Sequence, residues 1–519
     1  MRVVVRVDAS REMGVGHLVR CLTVADQLRA RGASLSFVCR EHPGHLIGLV
    51  QSRGIPVHAL SLAPPGEGVT GDGYAAWLGG DARRDAEETI QAFGGEGPDW
   101  LIVDHYGADE EWERQVRPHV GQLLVIDDLG NRPHDCDVLL DQNYSVEGDD
   151  KYRDQVNARC LRLLGPRYAL LREEYRLARA ALMMRREDVS RVLVFFGGTD
   201  AANLTSVTLD ALSQPALSHV SVDVVLGANN SNRQLVEARA TARANTFLHS
   251  PVPHLADLLS QADLSIGAGG TTTWERMCLG VPSVVVSLAE NQRPGCEALA
   301  AAGLISYAGP QAQVSIGPLA DRVRRLCDDG LARAALSLNG QLLVDGMGAA
   351  RVAQVIMPSA ASALHLRAAR ADDAMLLHGW ANERAVRLNA VNTDAIPWSG
   401  HQAWFRQKLS DQDCSLYVLE AADLPVGQIR FDAMEAGDVR ISYSLDPIVR
   451  GRRWGVPLVA KGIERMRARG AKGFHADVRV ENVVSSRVFE NLGFTEIASV
   501  LGQKFRSFYL GDLRYYTRP

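Results

Sequence analysis

The sequence predicts two doubly wound α/β units in succession, followed by a smaller α+β unit. Three observations carry this reading. Short runs rich in Val, Ile and Leu alternate with segments of helical spacing from Met1 to about Arg186. The same alternation restarts at Arg191, and from Leu364 several strand-like segments follow one another instead. A chain of 519 residues is also too long for one core. The expected division is 1–186, 187–357 and 364–519, with the small-residue stretch Met357–Ala363 as a linker.

Composition narrows the function classes. Hydrophobic residues at 46% and charged residues at 23% describe an ordinary globular protein. A net charge of −5 over this length lacks the basic stripe of a nucleic-acid binder. The eight cysteines are scattered with no C-x-x-C pair, which fits neither a zinc site nor a disulfide framework and suits a reducing compartment. No leader precedes the first strand and no apolar run approaches ~18 residues, so the expectation is a cytoplasmic protein with no membrane partner.

In the first unit, Val3–Val7 reads as a buried strand, followed by Asp8-Ala9-Ser10 and Gly14-Val15-Gly16-His17. Leu18, Leu22, Ala25 and Leu28 then recur at helical spacing up to Gly32, so His17 stands at a helix start beyond the end of a strand. Free N–H groups and the helix dipole favour an anion there, and the glycines let a phosphate come close. The dipole favours neutral imidazole by ~0.3–1 kcal/mol, the form that accepts a proton. Further strands are read at Leu35–Cys39, Trp100–Val103, Leu123–Ile126 and Val138–Leu140, each followed by polar residues. Ligands of such sheets bind beyond the strands' carboxyl ends, so Tyr106 and the pair Asp127-Asp128 are expected to line a cleft with His17.

The second unit opens on a strand at Arg191–Phe196 and a phosphate-competent turn, Gly197-Gly198-Thr199-Asp200. Its most informative segment is Gly267–Glu275, a strand running into glycines, then Thr271-Thr272-Thr273, then a helix. That pattern predicts a diphosphate held by N–H groups and threonine hydroxyls, with Glu275 placed to accept from ribose hydroxyls. Asn291-Gln292 follows the next strand, again on the ligand side.

Taken in order, Asp8-Ala-Ser, Gly14-x-Gly-His17-x-x-Arg20-Cys21, Asp104-His-Tyr106, Asp127-Asp128, Gly197-Gly-Thr-Asp200, Gly270-Thr-Thr-Thr-Trp-Glu275 and Asn291-Gln292 resemble the hydrolases of the pseudaminic-acid pathway. Those enzymes remove UDP from UDP-2,4-diacetamido-2,4,6-trideoxy-β-L-altropyranose. The resemblance covers roughly residues 1–357 and implies two Rossmann-like domains in a glycosyltransferase-B-like arrangement. It further implies metal-free attack of water at the anomeric carbon, with His17 as base. Asp8, Gly16, Arg20, Tyr106, Asp128, Gly198, Thr199, Gly270, Thr271, Thr272, Glu275, Asn291 and Gln292 are the implied substrate-binding residues.

Beyond the linker, strands at Ser415–Glu420, Val426–Phe431 and Val439–Leu445 lead into Arg450-Gly451-Arg452-Arg453-Trp454-Gly455 and a helix through Met466. A later strand ends near Val480 and gives way to Asn482-x-x-Ser485-x-x-x-Phe489-x-x-x-Gly493-Phe494. An arginine–glycine turn between strand and helix is a pyrophosphate cradle. The pattern resembles the GNAT acetyltransferases, which bind acetyl-CoA. On that resemblance Leu445, Arg450, Gly451, Arg452, Arg453, Gly455, Asn482, Ser485 and Phe489 hold the cofactor. Two residues depart from the pattern: Arg453 stands where the loop's first glycine is expected, and Phe489 where many members carry a proton-donating tyrosine. Phenylalanine donates no proton, which leaves the acid to another group such as Tyr443 or to water.

Trp380-x-Asn382-x-x-x-x-Arg387 and His401-x-x-Trp404-Phe405 resemble the GNAT branch that acetylates nucleotide-linked amino sugars, whose product the hydrolase consumes. The expectation is therefore a bifunctional enzyme acting on a UDP-sugar with acetyl-CoA as cosubstrate. A glycosyltransferase of the same fold, and a nucleotide-sugar sensor with a non-catalytic acetyl-CoA-binding domain, stay open at this point.

Overall fold

The computed structural model describes residues 1–62, 73–182, 188–227, 230–250, 252–499 and 501–511. The chain forms two compact units, 1–353 and 354–519. The expected boundary at 186/187 falls among 183–187, outside the described residues.

The first unit contains two parallel sheets. The N-terminal one is built from β1 (Arg2–Val7), β2 (Ser34–Arg40), β3 (Val57–Leu60), β4 (Trp100–Asp104), β5 (Gln122–Ile126), β6 (Val138–Asp141) and β7 (Leu161–Leu164), in the order β3-β2-β1-β4-β5-β6-β7. Its central strands are runs of Val, Ile and Leu buried on both faces, as a parallel sheet covered by helices requires. Strand order reverses between β1 and β4, both parallel to their neighbours. The crevice at that switch point therefore receives the loop after β1 and the loop after β4.

The second sheet repeats the plan. It comprises β8 (Arg191–Phe195), β9 (Ser221–Val225), β10 (Thr246–His249), β11 (Leu264–Ala268), β12 (Ser283–Ser287) and β13 (Ser306–Pro310), ordered β10-β9-β8-β11-β12-β13. Here the switch lies between β8 and β11, so the turns at Gly197-Gly198 and Gly269–Thr272 meet at one edge. Separate apolar clusters line the two faces of this sheet, one around Val192, Val222 and Leu264, the other around Trp274, Met277 and Leu299.

The second unit is a mixed sheet of β14 (Leu364–Ala368), β15 (Cys414–Ala421), β16 (Leu424–Ala433), β17 (Val439–Leu445), β18 (Phe474–Arg479), β19 (Thr495–Ile497) and β20 (Phe505–Leu510), ordered β14-β15-β16-β17-β18-β20-β19. All its pairings are antiparallel except β17 with β18. That parallel pair is joined only from Val439↔Phe474 to Ile441↔Ala476, and beyond it the two strands part. The expected linker at Met357–Ala363 is partly ordered: a helix runs to Ile356 and a 3-10 turn spans Ala361–Ala363. No helix among the described residues is long and apolar enough to cross a membrane.

Candidate active sites

The helix Gly16–Ala30 starts immediately after a turn closed by Gly14, whose φ of 76° lies in the region open to glycine. On its first turn, His17 places Nδ1 2.6 Å from Asp104 Oδ1. Arg20, one turn on, forks the same carboxylate, with Nε to Oδ2 and Nη2 to Oδ1 both 2.6 Å. Its Nη1 donates to Asp128 Oδ2 at 3.0 Å, and the Tyr106 hydroxyl donates to Asp128 Oδ1 at 2.5 Å. The Tyr106 ring stands edge-on to the His17 imidazole, centroids 4.6 Å apart, which closes the circuit. Asp104, nearer to Nδ1 than Arg20 Nη2 at 3.1 Å, only accepts, so it favours the Nδ1–H tautomer and leaves Nε2 with its lone pair. The helix dipole expected to act on His17 is thus secondary to a direct carboxylate contact.

Electrostatics hold Asp104 ionised and Tyr106 protonated. Burial pushes the Asp104 carboxyl up, but Arg20 and then His17 pull it below the ordinary carboxylate range. Burial and the adjacent Asp128 push the Tyr106 hydroxyl up, so it holds its proton and serves as donor. Arg20, expected to bind substrate, has its fork engaged by Asp104 and Asp128 and acts as the strut between them.

Two expectations need correction here. Asp8 is buried inside the domain, bonded to Arg6 at 2.6 Å and to the Arg40 main-chain N–H at 2.7 Å, with His105 at 3.3 Å. It is not in the wall of the cavity described below. The pair Asp127-Asp128 divides: Asp127 turns inward, accepting from the Gly130 N–H and the Tyr152 hydroxyl, while Asp128 alone joins the His17 circuit.

A cavity of about 340 Å³ lies between the two halves of this unit. Gly16, Val19, Arg20 and Gln142 line it from the N-terminal side; Gly227, Thr271, Thr272, Trp274 and Glu275 line it from the other. The His17 ring is not in its wall but neighbours Gly16, which is. Glu275 is held by the Tyr175 hydroxyl, and burial pushes its carboxyl above the usual range. Gly270 precedes this wall, and Gly198 and Thr199 are exposed on the turn after β8. A Cβ on Gly227 would stand 2.1 Å from the Gly198 carbonyl oxygen, so the two loops touch through backbone. Asn291 and Gln292 lie outside the wall: Asn291 is exposed, and Gln292 Oε1 accepts from the Leu288 N–H at 2.9 Å.

Sequence reasoning assigned no role to several residues at this place. Asp104 was legible as a polar residue ending β4, yet only the fold turns it toward His17. Tyr74 and Trp77 pack on Tyr106 at 4.9 and 5.7 Å and complete an aromatic wall beside the imidazole. Their 3-10 turn, Gly73–Leu78, carries no periodic signal.

In the second unit a larger cavity, about 1050 Å³, opens where β17 and β18 part. Leu445, Arg450, Gly451, Arg453, Gly455, Asn482, Ser485 and Phe489 all line it. Arg452 does not; its Nη2 turns to the Val355 carbonyl at 3.2 Å. Arg453 has a φ of 61°, so an arginine occupies the left-handed position where the resemblance expects glycine. The loop delivers the start of the helix Gly455–Arg467 to the cavity. Asn482 caps the helix Val483–Asn491 by accepting from the Ser485 N–H at 3.1 Å. Of the aromatic residues singled out, His401 and Trp404 reach the cavity, whereas Trp380 and Phe405 are core. Trp380 Nε1 donates to Asp446 at 2.8 Å, and Asn382 braces the Ile396 main chain. Arg387 reaches the cavity wall as well.

Residues 363–495 match the model of the acetyltransferase (GNAT) domain. Over 304 residues, 58% of this chain and 97% of the relative, the sequence is 26% identical to the UDP-2,4-diacetamido-2,4,6-trideoxy-β-L-altropyranose hydrolase of Campylobacter jejuni. It is 26% identical over 261 residues to the spore coat polysaccharide biosynthesis protein SpsG of Bacillus subtilis, covering 50% of this chain and 76% of that one. An uncharacterized protein of Methanocaldococcus jannaschii is 22% identical over 515 residues, 95% of this chain and 96% of its own. Among solved structures, MurG of Acinetobacter baumannii superposes with a TM-score of 0.50 at 16% identity, covering 68% of this chain and 98% of that one. The two parallel sheets are therefore Rossmann-like halves in a glycosyltransferase-B-like arrangement. The chain joins a region similar to the Campylobacter hydrolase to a C-terminal GNAT domain.

Proposed function

We propose that the chain is a bifunctional nucleotide-sugar enzyme. Its first unit hydrolyses UDP-2,4-diacetamido-2,4,6-trideoxy-β-L-altropyranose to free sugar and UDP; its GNAT domain N-acetylates the precursor UDP-4-amino sugar from acetyl-CoA, two steps of pseudaminic-acid synthesis. The observation that carries the hydrolase half is the His17–Asp104–Arg20–Asp128–Tyr106 circuit at a helix start beside an inter-sheet cavity.

The chemistry follows from that circuit. Asp104 holds the Nδ1 proton, so Nε2 takes one from water as the water attacks the anomeric carbon. The C–O bond to the diphosphate breaks, and UDP leaves with the electron pair. Base assistance of this kind supplies roughly 10²–10⁴-fold. Positioning and charge stabilisation at the diphosphate supply the remainder. Thr271, Thr272 and the N–H groups around Gly270 are the diphosphate donors, and Glu275 accepts from the ribose.

For the GNAT half, the residues present fit a pyrophosphate and a pantetheine arm. Gly451 and Gly455 keep the loop open to an approaching phosphate, Arg450 and Arg453 add charge, and β17 and β18 part beside them. Acetyl-CoA supplies an activated acyl group there. Arg387, His401 and Trp404 line the same cavity as candidates for orienting the amino sugar.

His17→Asn tests the hydrolase half. UDP release is expected to fall on the order of 10²-fold or more, with UDP affinity by calorimetry unchanged. Wild-type turnover by the variant would remove His17 from the reaction.

A further inference from the structure

We propose that Tyr443, rather than the residue at position 489, delivers the proton to the thiolate leaving in acetyl transfer. The proposal rests on the acetyltransferase reading above. Phe489 is buried in an aromatic cluster with Phe494 and Phe508, at 5.0 and 5.8 Å, and has no proton to give.

The tyrosine stands beside it. Tyr443 lies two residues past Ile441, the last residue of β17 paired with β18, so it belongs to the parted stretch that opens into the cavity. Its ring is edge-on to Phe489, centroids 5.9 Å apart. Its hydroxyl is 3.1 Å from Ser485 Oγ, one helical turn before Phe489 on the same helix. The start of the helix Gly455–Arg467 lies beside the hydroxyl, since a Cβ on Gly455 would stand in ordinary contact with it at 3.6 Å.

The other ionisable groups lining this cavity do not serve. They are arginines, His401 and Asp477. Guanidinium groups keep their protons. Burial, with His378 beside it, pushes His401 down to about 4, so its imidazole is neutral and its Nε2 faces the Ala374 carbonyl. Asp477 accepts from Ser507 Oγ at 2.6 Å and lies 3.5 Å from Arg440. Tyr443 is the neutral acid left among the described residues of the wall, and burial raises its hydroxyl so that the proton is retained until a thiolate forms.

The step balances. The amine lone pair forms the C–N bond, the C–S bond breaks, and sulfur leaves with the electron pair. Tyr443 O–H protonates that sulfur; the phenolate recovers a proton through Ser485 Oγ from water. The ammonium proton of the newly acylated nitrogen passes to solvent.

The test uses the full chain with acetyl-CoA and a UDP-4-amino sugar. Tyr443→Phe is expected to lower the single-turnover transfer rate on the order of 10²-fold, with calorimetric affinity for CoA and melting temperature unchanged. Adding Phe489→Tyr to that variant is expected to restore part of the rate. A second readout needs no turnover: ultraviolet absorbance titrates the thiol of bound CoA. Its ionisation is expected at lower pH in the wild type, where Tyr443 donates to the thiolate, than in Tyr443→Phe. Equal rates, or superimposable thiol titrations, would overturn the proposal. A wild-type chain that binds CoA but acetylates no amine would contradict the acetyltransferase reading instead, and the thiol titration would still decide on Tyr443.

Discussion

On the proposed hydrolysis, His17 depends on Asp104, because the tautomer decides which nitrogen meets water. Replacing the carboxylate by an amide keeps the shape but lets the side chain offer N–H to Nδ1, which drives the proton onto Nε2. Asp104→Asn is therefore expected to reduce the rate of UDP release by roughly 10²–10⁴-fold while leaving KM close to wild type. A variant keeping the wild-type rate would show Asp104 to be structural only. At this scale the sequence was legible where loops follow strands: His17, Tyr106 and Asp128 come together in one circuit of contacts, and Thr271 and Glu275 line the cavity beside Gly16. It was illegible where burial decides. Asp8 and Asp128 look alike as aspartates after strands, yet Asp8 is enclosed by Arg6 and the Arg40 main chain and Asp128 meets Tyr106.

Among the elements, the loop before the helix Gly455–Arg467 carries the clearest consequence of a local rule broken. Arg453 holds a φ of 61°, a conformation costing a non-glycine residue roughly 1–2 kcal/mol. Arg453→Gly is expected to raise stability by about 1 kcal/mol in denaturant melts while weakening CoA binding through loss of a charge. Unchanged affinity would mean that the arginine does not contact the cofactor. The interior strands were readable because β1, β4, β5, β8 and β12 are apolar runs buried on both faces. Among the strands the sequence left unmarked, β3, β7, β13 and β19 lie at sheet edges with exposed or half-buried residues, so neither a buried run nor a clean alternation marks them. Pairing with a neighbour, which a single sequence does not display, is what makes them strands.

Over the whole molecule, the chain divides into two compact units, 1–353 and 354–519. Each has its own core, so calorimetry of the full chain is expected to resolve two transitions. Acetyl-CoA at about one hundred times its Kd should stabilise only one of them, by ~2.7 kcal/mol; a shift of both together would show that the units unfold as one. The three-sheet plan was visible from the change of rhythm at Leu364, whereas the meeting of Gly16 and Arg20 with Thr271 and Glu275 across a cavity is a property of the folded chain alone.

The account stands on water attacking a sugar carbon with His17 as its base. The direct measurement is incubation of the UDP-sugar in heavy-oxygen water without any acceptor, followed by mass spectrometry of both products. The label should appear at C1 of the free sugar and be absent from UDP, and His17→Asn should release neither product at the wild-type rate. Label in the UDP phosphate, or sugar release only when an acceptor alcohol is added, would contradict it.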